Sequence, residues 1–142
     1  MSIKVNDVIA KLQRVDSEIE SILKTVGGEY CDEVEYDYEN PEERFLYNEL
    51  YFIVENLEKV REKISYLSKP IVAQGFLMHN DLKRYELPNG KYLTSGSVCE
   101  LLVTEMDGQR WIYTSIEHNG QDYYSTALGK DVSIKGMMAR IR

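Results

Sequence analysis

From Ile3 to Val26 the apolar residues Val5, Val8, Leu12, Val15, Ile19, Ile22, Leu23 and Val26 return at steps of three and four. That is the period of one helix face, and Gly27-Gly28 offers the left-handed residue with which helices commonly end. A second run is stricter: Leu46, Leu50, Ile53, Leu57, Val60, Ile64 and Leu67 alternate steps of four and three. This spacing predicts a coiled-coil seam, to be covered by the first helix. "NPEE" reads as the start of that second helix. Asn40 caps it, Pro41 takes the first helical position, and Glu42 and Glu43 complement the positive end of the dipole. Ser68-Lys69-Pro70 stops it. The acidic, tyrosine-bearing stretch EYCDEVEYDYEN joins the two runs, so an antiparallel hairpin is expected.

After Pro70 the period changes from 3.6 to 2. Asn89-Gly90, Asp107-Gly108 and Asn119-Gly120 are turn signals between β-prone runs. Strands are expected near 72–78, 82–87, 91–95, 98–105, 109–117, 121–127 and 132–141. In the last of these, Val132 and Ile134 lie in one parity and Met137, Ala139 and Ile141 in the other, with Gly136 between them. A bulge at Gly136 would move the core face from one set to the other. Arg140 and Arg142 would then lie on the outer face. The expected fold class is α+β: an antiparallel helical hairpin over residues 1–69, then a six- or seven-stranded antiparallel β-meander over 70–142. At 142 residues the two halves most simply form one compact unit.

Composition narrows the class further. The chain is 43% hydrophobic and 29% charged, which describes an ordinary globular protein. Two cysteines, Cys31 and Cys99, make neither a disulfide framework nor a zinc site. No apolar run approaches the roughly 20 residues that span a bilayer, and the N-terminus is too charged for a secretory signal. A cytoplasmic protein with no membrane contact is expected. The net charge of −7 is unevenly spread. Residues 1–68 carry 8 basic and 16 acidic side chains, whereas residues 69–142 carry 9 basic and 8 acidic. The acidity belongs to the helical half.

Catalytic motifs are lacking. His79 and His118 are separated, and neither accompanies a recognised nucleophile motif. "TSGS" at 94–97 lacks the glycine span and lysine of a phosphate loop. The acidic loop lacks the spacing and central glycine of a calcium loop. Neither an enzyme nor a bound metal or cofactor is expected. The β half is richer in binding chemistry. In QRWIYTSIEH, Ile112, Thr114 and Ile116 share one face with Arg110 and His118, while Trp111, Tyr113, Ser115 and Glu117 share the other. Such aromatics beside Lys83, Arg84, Arg110, Lys130, Arg140 and Arg142, with Tyr124, Thr126 and Asn119, are what a nucleotide pocket needs. Rings stack on a base, guanidinium groups hold phosphate, and hydroxyls or amides meet base edges and ribose. The same residue types also suit an ordinary strand surface.

Two helices followed by an antiparallel sheet, with "SKPIVAQGFL", "RYELPNGKYLTSGS", "WIYTSIEHNGQDYYSTALG" and "KGMMARIR", resemble the phage anti-Thoeris sponge family (Thoeris anti-defence protein one) and a related small Firmicute domain. The resemblance covers roughly residues 68–142. It implies non-enzymatic sequestration of glycocyclic ADP-ribose, and of cyclic oligonucleotides in some members, which blocks bacterial anti-phage signalling in the host cytoplasm. It also implies a homodimer or higher homo-oligomer with pockets at subunit boundaries, and no nucleic-acid polymer as partner. Carried onto this chain, stacking would fall to Trp111 or Tyr113. Phosphate binding would fall to Arg140 and Arg142, with Arg84. Two rival expectations stand beside this one. The acidic half could inhibit a host nucleic-acid enzyme, or the chain could be a ligand-free oligomeric scaffold.

Overall fold

Helix α1 spans Val5–Val26 and ends at Gly27, whose φ of 84° is the left-handed cap expected there. The next N–H, from Gly28, reaches back to the Leu23 carbonyl at 2.8 Å. Helix α2 spans Pro41–Ser68. The Asn40 Oδ1 accepts the N–H groups of Glu42 and Glu43 at 3.0 and 3.3 Å, satisfying two of the donors that a helix start leaves open. The helices run antiparallel. Gln13 bonds Ser68, Asp16 and Glu20 pair with Arg61, and the Tyr47 hydroxyl reaches the Tyr30 carbonyl. These residues belong to the first of two compact units, Met1–Lys69 and Pro70–Arg142, in a computed structural model that describes residues 1–142.

The seam of α2 keeps Leu50, Leu57 and Ile64 of the expected line, but not Leu46, Ile53, Val60 and Leu67. Its packed line runs through Tyr47, Leu50, Val54 and Leu57, with Val54 fully buried against Ile19, Leu23, Val26 and Cys31. Leu46, Ile53, Val60 and Leu67 remain 54%, 55%, 45% and 39% exposed. The apolar stripe of α2 is wider than a two-position seam, and α1 covers only one edge of it. Arg61 pairs with Asp16 and Glu20 of α1 along that edge.

The second unit holds β1 (Ala73–Phe76), β2 (Met78–His79), β3 (Tyr85–Glu86), β4 (Val98–Glu105), β5 (Gly108–His118), β6 (Tyr123–Ser125) and β7 (Met138–Ile141). The fold is α+β, as expected: a five-stranded antiparallel sheet with a two-stranded sheet, β2–β3, beside it. Strand order in the larger sheet is β1-β7-β4-β5-β6. Consecutive hairpins therefore run only from β4 to β6, and β7 returns to lie between β1 and β4. The segment at 91–95 makes a single bridge, Glu86 to Tyr92, instead of a strand.

The final strand is also shorter than the pattern 132–141 suggested. Gly136 adopts φ 77° and forms the expected bulge: its N–H donates to the Leu77 carbonyl at 2.7 Å and the Leu77 N–H donates to the Met137 carbonyl at 2.9 Å, so two residues face one. The Met137 N–H also donates to the Ile134 carbonyl at 3.1 Å, so a tight turn leads into the bulge. Regular one-to-one pairing with β1 begins at Met138, just beyond the bulge. Ile134 is buried and Val132 exposed. Beyond the turn the parity holds, with Ala139 in the core and Arg140 on the opposite face. No helix is long and apolar enough to cross a membrane.

The core lies on one face of the larger sheet. Cys99 and Leu101 of β4, Ile112 and Ile116 of β5, and Ala139 of β7 meet Leu77, Tyr85, Leu87 and Ile134 there. Strand alternation leaves Glu100, Leu102, Trp111, Tyr113, Ser115 and Arg140 on the other face.

Candidate functional site

On that second face one row crosses four strands. Gln74 of β1 lies opposite Arg140 of β7, Arg140 opposite Glu100 of β4, and Glu100 opposite Tyr113 of β5. Glu100 is only 6% exposed, although it stands on the face away from the core. Two arginines hide it. The Arg140 Nη2 and Nε donate to Oε1 at 2.7 and 3.0 Å, and the Arg142 Nε donates to Oε2 at 2.8 Å. The Arg140 guanidinium also lies over the Trp111 ring, 4.2 Å from its centroid. Burying a carboxylate is costly unless it is paired and hydrogen-bonded, and both conditions hold here.

Arg140 and Arg142 therefore do not stand on a bare outer edge, as the alternation alone suggested; they anchor a buried carboxylate. Both guanidinium groups converge on this one carboxylate. Stacking roles divide as well. Trp111 already holds a guanidinium on its ring, whereas Tyr113, one pair further along β5, is 47% exposed. Next to them, Arg110, Trp111 and Tyr113 help line a cleft of about 530 Å³, with Thr104, Glu105 and Leu128 among its walls. Strand β6 pairs only with Ile116–His118 of β5, so the Arg110–Tyr113 stretch lies beyond that pairing, at the cleft. The cleft's size falls within the range of small-molecule sites.

Six of the eight expected residues share this face. Besides Trp111, Tyr113, Arg140 and Arg142, Thr126 bonds the Ser115 hydroxyl at 2.8 Å, and Tyr124 lies opposite Glu117 beneath Lys130. Tyr124 sits at the far end of the face: its partner Glu117 is four residues along β5 from Tyr113, about 14 Å away at an extended strand's rise. Arg84 and Asn119 lie elsewhere. Arg84 stacks over Tyr92 at 5.0 Å, and Thr94, followed by Arg84, holds the Tyr123 phenol's pKa below its usual value. The Asn119 Oδ1 accepts the N–H groups of Gln121 and Asp122 at 2.9 and 3.0 Å, which closes the turn after β5. Its amide shapes backbone and does not approach the arginines' row.

Sequence patterning missed Glu100. The signal was a lone charge inside the apolar run "VCELLV", which demands a cationic partner if the strand is buried. It also missed the clamp around Asp122. That carboxylate accepts the Tyr85 hydroxyl at 2.7 Å, the His79 Nε2 at 3.0 Å and the Tyr123 N–H at 2.8 Å, while His79 stacks on Tyr85 at 4.2 Å. Burial pushes the Asp122 carboxyl up, but the three hydrogen bonds outweigh it and hold the pKa below the ordinary value. Burial, aided by Asp122, pushes the Tyr85 phenol up to about 12. The His79–Asp122 pair thus ties β2–β3 to the turn after β5. His118 serves the same turn, its Nδ1 accepting the Gly120 N–H at 3.0 Å. No group of three or more His, Cys, Asp or Glu side chains is arranged to hold a metal ion.

No curated protein and no solved structure matches the chain. Residues 76–141, which include every strand from β2 onward and the whole of the Arg140–Glu100 pairing, are similar to a family described as a domain of unknown function, DUF5348.

Proposed function

We propose that the protein sequesters a cyclic nucleotide signal, glycocyclic ADP-ribose or a cyclic oligonucleotide, without chemical turnover, in the cytoplasm of a phage-infected bacterium. The carrying observation is the pairing of Arg140 and Arg142 about one buried carboxylate, beside the exposed ring of Tyr113. Two guanidinium groups converge there in a protein whose net charge is −7. Glu100 fixes both guanidinium groups in advance, so a phosphate would meet donors already ordered and lose little entropy on binding. Tyr113 would stack on a base, and the cleft beside Arg110 and Trp111 would take the rest of the ligand. Nanomolar affinity corresponds to about −12 kcal/mol, which favours enclosure of the ligand between subunits of a homo-oligomer.

Trp111 is the single tryptophan, so its emission reports on this face. Titration with glycocyclic ADP-ribose, and separately with a cyclic dinucleotide, should change that emission and release heat. Denaturing the loaded protein should return the ligand intact. Tyr113→Ala should weaken binding by roughly 1–3 kcal/mol, the usual worth of one base–aromatic stack. The reading fails if neither ligand gives heat or a fluorescence change at millimolar concentration, or if product accumulates beyond one equivalent.

A further inference from the structure

The helical hairpin has two unlike sides. On one, Arg61 pairs with Asp16 and Glu20, and Gln13 bonds Ser68. On the other, apolar side chains stand uncovered at seven-residue spacing: Leu46, Ile53, Val60 and Leu67 along α2, and Val8, Val15 and Ile22 along α1. The two rows adjoin, because Leu12 of α1 shares a cleft of about 170 Å³ with Val60 and Leu67 of α2. A single hairpin has no use for a second seam of this regularity. A seven-residue repeat is what keeps an apolar row in register with another helix over several turns.

We infer that this face docks against the same face of a second copy of the chain, the two hairpins running antiparallel as a four-helix bundle. Area and charge both support a second copy. Eight half-exposed aliphatic side chains at about 80 Å² each offer roughly 650 Å² per copy, near the ~800 Å² per partner of a standard interface. Charge is polarised along the hairpin. The turn end, residues 17–56, carries 2 basic and 12 acidic side chains, and the open end, residues 1–16 and 57–69, carries 7 basic and 4 acidic. The positions flanking the apolar rows follow the same polarity. They read Lys4, Lys11 and Glu18 along α1, and Glu42, Glu49 and Lys63 along α2. Antiparallel docking sets the acidic end of each copy against the basic end of the other, with α2 lying along its own counterpart. Parallel docking would stack two acidic ends. The flanking charges thus select both the partner and its direction.

This inference builds on the homo-oligomer in the functional proposal but not on its ligand, so sedimentation tests it without nucleotide. The full chain should sediment as a dimer or a multiple of it at micromolar concentration. Ile53→Glu and Val60→Glu, both at exposed positions, should keep the helical circular dichroism and raise the dimer Kd roughly hundredfold. Glu49→Lys and Lys63→Glu should each weaken the dimer, and the charge-neutral pair of exchanges should restore it. A monomeric wild type overturns the inference. So does a dimer indifferent to Ile53→Glu and Val60→Glu, which would join through another surface. A dimer strengthened by Lys63→Glu overturns the antiparallel sense.

Discussion

Glu100 stands where strand alternation turns a side chain away from the core, and it is nonetheless nearly inaccessible. Its neighbours explain this: two guanidinium groups replace the water it loses. The arrangement predicts an order of effects. Glu100→Gln removes the carboxylate on which two mostly hidden cations converge and should cost about 3–5 kcal/mol, as breaking a buried pair does. Arg142→Ala leaves Arg140 to neutralise the carboxylate and should cost less, about 1.5–3 kcal/mol. Urea denaturation at constant m-value checks both. Equal, negligible losses would show that the pairing is a solvated surface contact. Ligand affinity should therefore be measured for Arg142→Ala only at temperatures where that variant is fully folded.

At the scale of elements, the local codes were legible. Asn40, Pro41 and the two glutamates formed the expected helix start because capping involves only neighbouring residues. Asn40→Ala should cost about 1 kcal/mol and Asn40→Gly only a few tenths, read from the helical transition. The Asp107-Gly108 and Asn119-Gly120 signals mark the loops that join β4 to β5 and β5 to β6. Two elements were less legible. The seam of α2 held at Leu50, Leu57 and Ile64 but not at Leu46, Ile53, Val60 and Leu67, since periodicity gives a stripe but not which of its edges a partner covers. Gly136 was read as a bulge because parity changed there. It is one, but the residue it faces, Leu77, stands 59 residues earlier in the chain, and no local pattern names that partner.

For the molecule as a whole, titration ties these contacts to stability. The Asp122 pKa lies below its unfolded value, so its contribution is complete above about pH 4 and is lost as pH falls through the lowered value. Tyr85 and Cys99 behave oppositely, each pushed up to about 12, burial being the main cause for both. Their protonated forms are favoured by folding. Stability from Cys99 should decline as pH rises from about 9, and that from Tyr85 from about 10, both being gone beyond the raised values. Urea midpoints across this range should fall on the alkaline side. Tyr85→Phe should flatten the part of that decline beginning near pH 10, whatever its offset at neutral pH. An unchanged alkaline slope would mean that Tyr85 is not held protonated by the fold.

The sequence by itself determined the α+β class, both helices and their ends, the alternation that separates Ile112, Thr114 and Ile116 from Trp111 and Tyr113, and the uneven charge. Each depends on residues a few positions apart, so a one-dimensional pattern carries it. Only the tertiary structure decided the strand order, with β7 between β1 and β4, and hence that Arg140 and Arg142 meet Glu100 across 40 and 42 residues of chain. It likewise separated Arg84 and Asn119 from the arginines and left one row of α2 uncovered. These outcomes depend on which surfaces meet, and patterning along a chain records only that a surface exists.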